Sequence, residues 1–341
     1  MGTRQSCRSN QEDHPRNTQT AGQNISTCMK ILTLLFICLL STTTTFSTEN
    51  KRKQVAEYLQ EISVTVRSVA KYSASEGSGA MINREIEDEN VTFVWTCAHV
   101  VDNLRKVRTI VGKHGVPKKL VEFGDVQIVK ELVENGRRVG EIKMDAQVIK
   151  YSDADDGEDL ALLMVRAKDY SKASIKFYLN SDDPIVPIGT SLFHVGSLLG
   201  QKGSNSMTAG IISQVGRVLG GKVEYDQTTV TAFPGSSGGG VYTTSGEYVG
   251  MIVRGAGEGF NFMVPVRRMV RWAEDQSILW AIDPTVDAPT FEEIKQLPIE
   301  HSGDEIQKLP AENDTNNFRI QLDRDFPHHV YKTVNGQPIK K

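Results

Sequence analysis

Residues 235–253, GSSGGGVYTTSGEYVGMIV, begin with a glycine-rich turn and continue as runs of β-forming residues. Similar short runs, separated by Gly, Asn and Asp, extend from about residue 55 to residue 262 and include ISVTVRSV, VTFVWT, LALLMV, TTVTAF and FNFMV. Many short strands at this spacing, with few long amphipathic helices among them, are typical of an all-β sandwich or a pair of barrels. The sequence therefore predicts an all-β fold in which the glycine turn lies between two strands.

One helix is predicted to close this β-rich region, at residues 265–280. Pro265 stands at its start, and the residues that follow form an approximate apolar stripe: Val266, Met269, Val270, Ala273 and Ile278. From residue 284 to residue 341 the chain is polar and punctuated by proline. We expect this last segment to be a linker or tail with little core of its own.

Residues 29–48, MKILTLLFICLLSTTTTFST, have the pattern of a secretory signal peptide. Their apolar run, 31–40, is too short for a bilayer core of about 30 Å, which needs roughly 20 residues. We expect cleavage near Ser47 and export to the periplasm or the medium; the alternative is an uncleaved signal that anchors the chain to a membrane. The polar extension at residues 1–28 is unusual before a signal, and a chain that starts at Met29 would lack it.

Composition narrows the classes of partner. The chain has 341 residues, and its 39 basic and 42 acidic residues leave a formal net charge of -3. Such a balance gives no support to nucleic-acid binding or to electrostatic attachment to anionic lipid. We therefore expect no nucleic-acid partner and no stable membrane span other than an uncleaved signal. Three of the four cysteines precede residue 48, so the fourth, Cys97, has no disulfide partner in the mature chain.

Three short segments concentrate chemically useful side chains. They are TCAHVV at 96–101 with His99, DADDGEDLALLMV at 153–165 with Asp159, and PGSSGGGVY at 234–242 with Ser237. A hydroxyl nucleophile needs an imidazole to take its proton and a buried carboxylate to orient that imidazole. Glycines beside the serine let two backbone N–H groups, those of Gly235 and Ser237, point at a developing oxyanion. We predict a catalytic triad of His99, Asp159 and Ser237.

In the order His, Asp, Ser, the motifs TCAHVV, DLALL and GSSGGG resemble the signatures of chymotrypsin-fold, trypsin-like serine peptidases. The similarity is closest to the bacterial HtrA/Deg-type branch, and covers about residues 60 to 280, including GTSLFHVGSLLG and YVGMIVRGAGEGFNFMVPVRRM. It implies two six-stranded antiparallel β-barrels, at about 55–175 and 183–264, followed by the helix at 265–280. It also favours Asp159 over the neighbouring aspartates, because the family's buried carboxylate directly precedes a strand such as LALLMV.

The sequence departs from the family in three places. Digestive trypsins carry Asp where this chain has Ser236, so we do not expect activation by an ion pair with a new N-terminus. HtrA-type members usually continue into PDZ domains, and the segment 284–341 is too short and polar to predict one. Residues 126–142, VQIVKELVENGRRVGEI, are predicted to form an inserted β-hairpin that turns at Glu134–Gly136 and is placed to gate the cleft.

The resemblance also implies where the S1 pocket lies, the pocket that receives the P1 side chain before the cleaved bond. Its base would be Thr231, six residues before the serine, and one wall would come from Ile252, Val253, Arg254 and Gly255. Without Asp at the base the pocket is neutral, which favours small to medium apolar P1 residues. An inward-pointing Arg254 would instead attract acidic residues.

Other functions are weighed against this one. GSSGG also fits the G-x-S-x-G turn of α/β-hydrolases, but that turn needs a helix directly after the serine. Strands follow here, and the later histidines all lie in the polar tail. No spacing suggests zinc or a Walker loop, so no metal or cofactor is expected. A serine endopeptidase acting on polypeptides is the prediction; the alternatives are a catalytically silent peptide-binding member of the fold and an esterase-like hydrolase.

Overall fold

The computed structural model describes residues 51–111, 117–134, 137–155, 157–180, 183–219, 223–255, 257, 259–300, 333–334 and 337–338. The expected extension at 1–28, the expected signal at 29–48 and most of the tail beyond residue 300 lie outside these ranges. None of the described helices is long and apolar enough to cross a membrane.

Strands dominate the described chain. In chain order the elements are α1 (51–61), β1 (Ser63–Val69), β2 (Ala74–Ile86), β3 (Glu89–Thr96), α2 (Ala98–Val101), β4 (Arg105–Val111), β5 (Pro117–Phe123), β6 (Val126–Glu134), β7 (Arg137–Ser152), β8 (Leu160–Lys168), β9 (Lys176–Phe177), β10 (Ser191–Leu198), β11 (Gly203–Val218), β12 (Glu224–Thr228), β13 (Gly240–Thr243), β14 (Glu247–Gly255), β15 (Asn261–Pro265), α3 (Val266–Asp275), α4 (Phe291–Gln296), β16 (Thr333–Val334) and β17 (Gln337–Pro338). Three short 3-10 helices, Asp102–Leu104, Gly200–Lys202 and Leu279–Ala281, connect some of them.

The strands form two antiparallel barrels, as predicted. The first is closed in the order β1-β2-β3-β8-β7-β6. The second runs β13-β10-β11-β12-β15-β14, and the pairing of β13 with β14 closes this ring of six. The short strand β9 joins the outside of β14 in parallel. The predicted all-β double barrel with a C-terminal helix is therefore confirmed.

The C-terminal helix packs on the outside of the first barrel. Trp95 lies edge-on to Trp272 of α3, with ring centroids 5.9 Å apart, and its indole N–H donates to Ala281 O at 2.9 Å. Phe93 meets Trp280 in the same way at 4.9 Å. These contacts explain why the last six residues of β3 are all buried, since one face of that strand meets the barrel core and the other meets the C-terminal segment.

Two segments differ from the sequence-based expectation. The hairpin at 126–142 is not an insertion, because β6 and β7 are both strands of the first barrel. The segment outside the barrel is instead the two-stranded hairpin of β4 and β5, which starts directly after the 3-10 helix Asp102–Leu104. Residues 284–300, expected as a linker, lie against the first barrel: Ile294 of α4 is buried, and Tyr151 N–H donates to Ile299 O at 2.9 Å.

Candidate active site

His99 lies in the single helical turn α2, directly after β3. The flanking residues Ala98, Val100 and Val101 are buried and fix this turn in the barrel core, while the His99 side chain keeps 25% of its surface exposed. The imidazole is therefore held by its neighbours and remains open to solvent on one side.

Asp159 binds His99 through both the ring and the backbone. Its Oδ2 lies 2.9 Å from His99 Nδ1, and its Oδ1 accepts the His99 backbone N–H at 3.1 Å. The carboxylate is 1% exposed, and Asp159 has a φ of +54°, the left-handed region that non-glycine residues rarely adopt. A proton on Nδ1 facing this carboxylate leaves Nε2 free to accept another.

Ser237 lies in a turn whose backbone requires glycine at two positions. Gly235 and Gly238 have φ values of +94° and +86°. A Cβ at Gly238 would stand 2.1 Å from Ser78 O, so a side chain there would collide with the first barrel. Ser236, at the position where trypsins carry Asp, is buried, and its Oγ accepts the Phe233 N–H at 3.0 Å. It closes the turn by a local hydrogen bond instead of an ion pair.

Ser78, a residue that the sequence analysis missed, connects this turn to the first barrel. Its N–H donates to Ser237 O at 2.7 Å, and its hydroxyl donates to Gly235 O at 2.6 Å. The same hydroxyl accepts the Ser197 N–H at 2.7 Å. The signal in the sequence is a serine between two glycines, 77–79, where the lack of Cβ atoms lets strand β2 approach Val100 and Val94 closely.

The three predicted triad residues are not all hydrogen-bonded to one another. His99 and Asp159 are paired, whereas no hydrogen bond joins Ser237 Oγ to His99 Nε2, both being described side chains. Ser237 and Val100 nevertheless both lie close to Gly77. A Cβ atom added to Gly77 would stand 3.0 Å from Ser237 O and 2.5 Å from a side-chain carbon of Val100. No described residue accepts a hydrogen bond from the N–H of Gly235 or of Ser237. These two amides are available to a ligand oxygen.

Cys97 lies behind the histidine and is completely buried. Its thiol donates to Ile252 O at 3.3 Å, and burial, followed by the charge of Asp159, raises the pKa of this thiol well above its usual range. Cys97, His99 and Asp159 each offer a potential metal-ligating atom, all within 4.8 Å of one another. A metal binds cysteine as the thiolate. Here the Cys97 thiol is hydrogen-bonded to the Ile252 carbonyl, and His99 and Asp159 are hydrogen-bonded to each other.

The strand predicted to form the S1 wall is hydrogen-bonded to the serine turn through Ile252. Ile252 O accepts the Gly238 N–H at 2.8 Å, and Ile252 N donates to Gly239 O at 3.0 Å. Val253 lies at a bulge between β14 and β15, where the register shifts between Ile252 and Arg254. Arg254 reaches the loop that precedes Asp159, where its Nη2 donates to Ala154 O at 3.1 Å.

The other two predicted pocket residues are connected through Asn261. Gly255 is buried and is paired with Asn261 across β14 and β15. The Asn261 amide donates to Val230 O at 2.7 Å, which ties the wall strand to the residue before Thr231. Thr231 itself is partly buried, and its carbonyl accepts a hydrogen bond from Thr208 at 2.9 Å.

Comparison with known families assigns most of this region to one domain family. The family model of the trypsin-like peptidase domain matches residues 77–251, which include all three predicted triad residues. The chain belongs to the trypsin-like peptidase family. The resemblance of its motifs to that family is thereby confirmed.

This trypsin-like peptidase has curated relatives among bacterial proteases. It is 35% identical over 119 residues to a probable periplasmic serine endoprotease, DegP-like, of Pseudomonas fulva, covering 33% of the chain and 23% of the relative. It is 28% identical over 162 residues to the putative serine protease HhoB of Synechocystis, covering 45% of the chain and 37% of the relative. The chain thus matches well under half the length of either relative.

Solved structures include the serine endoprotease from Yersinia pestis. It matches with a TM-score of 0.46 and 19% identity, over 67% of this chain and 66% of that one.

Proposed function

We propose that this chain is a serine endopeptidase in which Ser237 is the nucleophile, His99 the general base and acid, and Asp159 the residue that orients His99. The observation that carries the proposal is the buried Asp159 carboxylate at 2.9 Å from His99 Nδ1, within a trypsin-like peptidase domain that also holds the glycine turn of Ser237. This pairing leaves Nε2 as the basic nitrogen, which is the tautomer that a serine nucleophile requires.

The steps follow from these positions. Ser237 Oγ attacks the scissile carbonyl carbon while His99 Nε2 takes the hydroxyl proton, and the carbonyl oxygen becomes an oxyanion held by the Gly235 and Ser237 amides. The tetrahedral intermediate collapses, the C–N bond breaks, and Nε2 gives its proton to the leaving amine. Water then takes the place of the leaving amine, and the same steps run in reverse. It attacks the acyl-enzyme while His99 Nε2 takes its proton, and Nε2 returns this proton to Ser237 Oγ as the carboxylic acid is released.

The proposed substrates are unfolded or exposed polypeptide segments with small to medium apolar P1 residues. A neutral Thr231 at the pocket base supports this choice. So does the hydrogen bond from Arg254 to Ala154, because it holds the guanidinium at the loop that precedes Asp159. The predicted signal at 29–48 and the periplasmic name of one relative support export.

A second candidate, a catalytically silent peptide-binding protein, is favoured by one observation. Ser237 Oγ and His99 Nε2 share no hydrogen bond in this structure. Catalytic hydrogen bonds are often long or poorly aligned in a free enzyme and tighten with substrate, so the endopeptidase remains the better-supported function.

Cleavage of casein by the purified chain, starting near Thr48, tests the proposal. We expect fragments from the parent and from Ser245→Ala, an exposed turn serine that serves as the matched control. Ser237→Ala should produce none. Equal cleavage by parent and Ser237→Ala would refute the assignment of the nucleophile. Turnover of a simple ester without cleavage of casein would favour an esterase, and a folded chain with neither activity would favour the silent candidate.

A further inference from the structure

The loop that carries Asp159 is held from outside its own barrel. Residues 153–159 connect β7 to β8 of the first barrel, and within the loop Asp159 N–H donates to Asp153 O at 3.2 Å. Two arginines reach this loop from elsewhere: Arg254 in β14 of the second barrel and Arg268 in the C-terminal helix α3. Each donates to a backbone carbonyl of the loop.

Arg268 makes the larger set of contacts. Its guanidinium is 3% exposed and binds the carboxylate of Glu158, the residue directly before Asp159. It also donates to Glu158 O at 2.5 Å and to Glu224 O at 3.1 Å. A planar guanidinium that binds a side chain and a main-chain oxygen of one residue fixes both the position and the rotation of that residue.

Tyr225 holds the two arginines in place. The centre of its buried ring lies 4.7 Å from the Arg268 guanidinium carbon and 5.8 Å from that of Arg254. Arg254 in turn donates to Ala154 O at 3.1 Å, at the other end of the loop. The loop is therefore held near both ends by guanidinium groups that stack on one aromatic ring.

We propose that Arg268, assisted by Arg254, is a positioning residue for the catalytic carboxylate: it holds Glu158 so that Asp159 keeps its left-handed backbone and its hydrogen bonds to His99. The inference rests on the proposed function for its effect on turnover. A left-handed backbone at φ +54° is disfavoured for residues other than glycine, although Asp adopts it more readily than most. Arg268 is a buried group that anchors the residue directly before it.

The hydrogen bond between His99 Nδ1 and Asp159 can be observed without measuring turnover. The Nδ1–H proton resonance of His99 reports the hydrogen bond to Asp159 directly and needs no turnover.

The test compares Arg268→Met with Arg267→Met. Arg267 is the adjacent residue of α3. Its guanidinium binds Asp226 in a bidentate pair at 2.7 Å and also binds the Glu224 carboxylate, and it makes no hydrogen bond or ion pair to the described part of loop 153–159. We expect Arg268→Met to lower kcat at least about tenfold with KM within about threefold, because orientation of the base is lost while the binding strand is kept. The His99 Nδ1–H resonance should broaden or disappear. Arg267→Met should retain parental kcat and the parental resonance.

Arg268→Lys covers the case in which Arg268→Met does not fold. A lysine keeps the charge but cannot reproduce the planar fork, so an intermediate loss of kcat and of the resonance supports the proposal. A folded Arg268→Met or Arg268→Lys with parental kcat and parental resonance overturns it. Equal losses in Arg267→Met would also overturn it, because they would assign the effect to helix docking. If the parent is inactive, the proposed function fails, and the resonance measured in the three variants still decides whether Arg268 positions Asp159.

Discussion

At the residue scale, Ser78 binds the serine turn through both its backbone and its side chain. Its hydroxyl is the donor to Gly235 O and the acceptor for Ser197 N–H, so one buried oxygen satisfies groups of two separate second-barrel segments. The Gly235 N–H is one of the two amides proposed to bind the oxyanion, and the peptide that directly follows it, whose carbonyl accepts from Ser78, is held by a residue of the other barrel.

Replacing Ser78 by Ala should therefore reduce both stability and turnover. The Ser197 N–H would be buried without a partner, at a cost of about 1–3 kcal/mol in the free energy of unfolding. Loosening of the Gly235 peptide should lower kcat about tenfold or more, with little change in KM. Ser63→Ala is the matched control, since Ser63 is also a buried serine whose hydroxyl donates to a carbonyl, that of Leu59 at 2.7 Å. Denaturant unfolding and steady-state kinetics on both variants check this, and equal kcat in the two would contradict it.

A second prediction at this scale concerns His194, which lies buried in β10. Its Nδ1–H donates to Gly240 O at 3.0 Å, and burial lowers the pKa of His194 to about 4 from an ordinary 6.5. Between these values the unfolded chain binds a proton that the folded chain does not, so stability falls as pH drops from about 6.5 to 4, by up to about 1.4 kcal/mol per pH unit. Urea unfolding across this range should show a shallower slope for His194→Gln than for the parent. An unchanged slope would rule out His194 as the cause.

At the scale of elements, the segment 284–300 is part of the folded domain. The helix α4 begins with a capping box between Thr290 and Glu293, and its Ile294 side chain packs against the core of the first barrel. Arg105 forms an ion pair with Glu300 at the end of this segment. The segment thus covers the first barrel close to the turn that carries His99.

Ile294→Ala should lower the free energy of unfolding by about 2 kcal/mol or more, since it leaves a cavity under α4. Lys295→Ala, at a largely exposed site of the same helix, should change it by less than about 0.5 kcal/mol. The kcat per folded molecule should be parental in both. If thermal and urea unfolding of the two variants coincide, the segment behaves as the linker expected from its composition.

The same elements show which parts of the fold the sequence could predict. Strands and the glycine turn were predictable because β-branched runs and glycines report local backbone preferences. The packing of 284–300 was not, because its six apolar residues stand singly between polar residues or prolines and form no continuous run: Val286, Ala288, Phe291, Ile294, Leu297 and Ile299. The barrel membership of β6 and β7 also depends on strand partners that are distant in the chain.

At the scale of the whole molecule, the candidate site forms where parts of both barrels and the C-terminal helix meet. His99 and Asp159 come from the first barrel, and the Ser237 turn comes from the second. The motif order predicted these three residues as the triad. The contacts that hold them, Ser78 to Gly235 across 157 residues and Arg268 to Glu158 across 110, leave no local pattern in the sequence, because they depend on how distant elements pack.

Covalent labelling with a fluorophosphonate, followed by peptide mapping, tests whether Ser237 is the nucleophile. We expect one labelled residue, Ser237, in the parent chain, and loss of the label in His99→Ala, because the hydroxyl needs that imidazole as its base. The adjacent Ser236 is an internal control, because its hydroxyl is buried and accepts a hydrogen bond from the Phe233 N–H within the turn. A folded parent that takes no label, or takes it at a serine other than Ser237, would rule out Ser237 as the activated nucleophile.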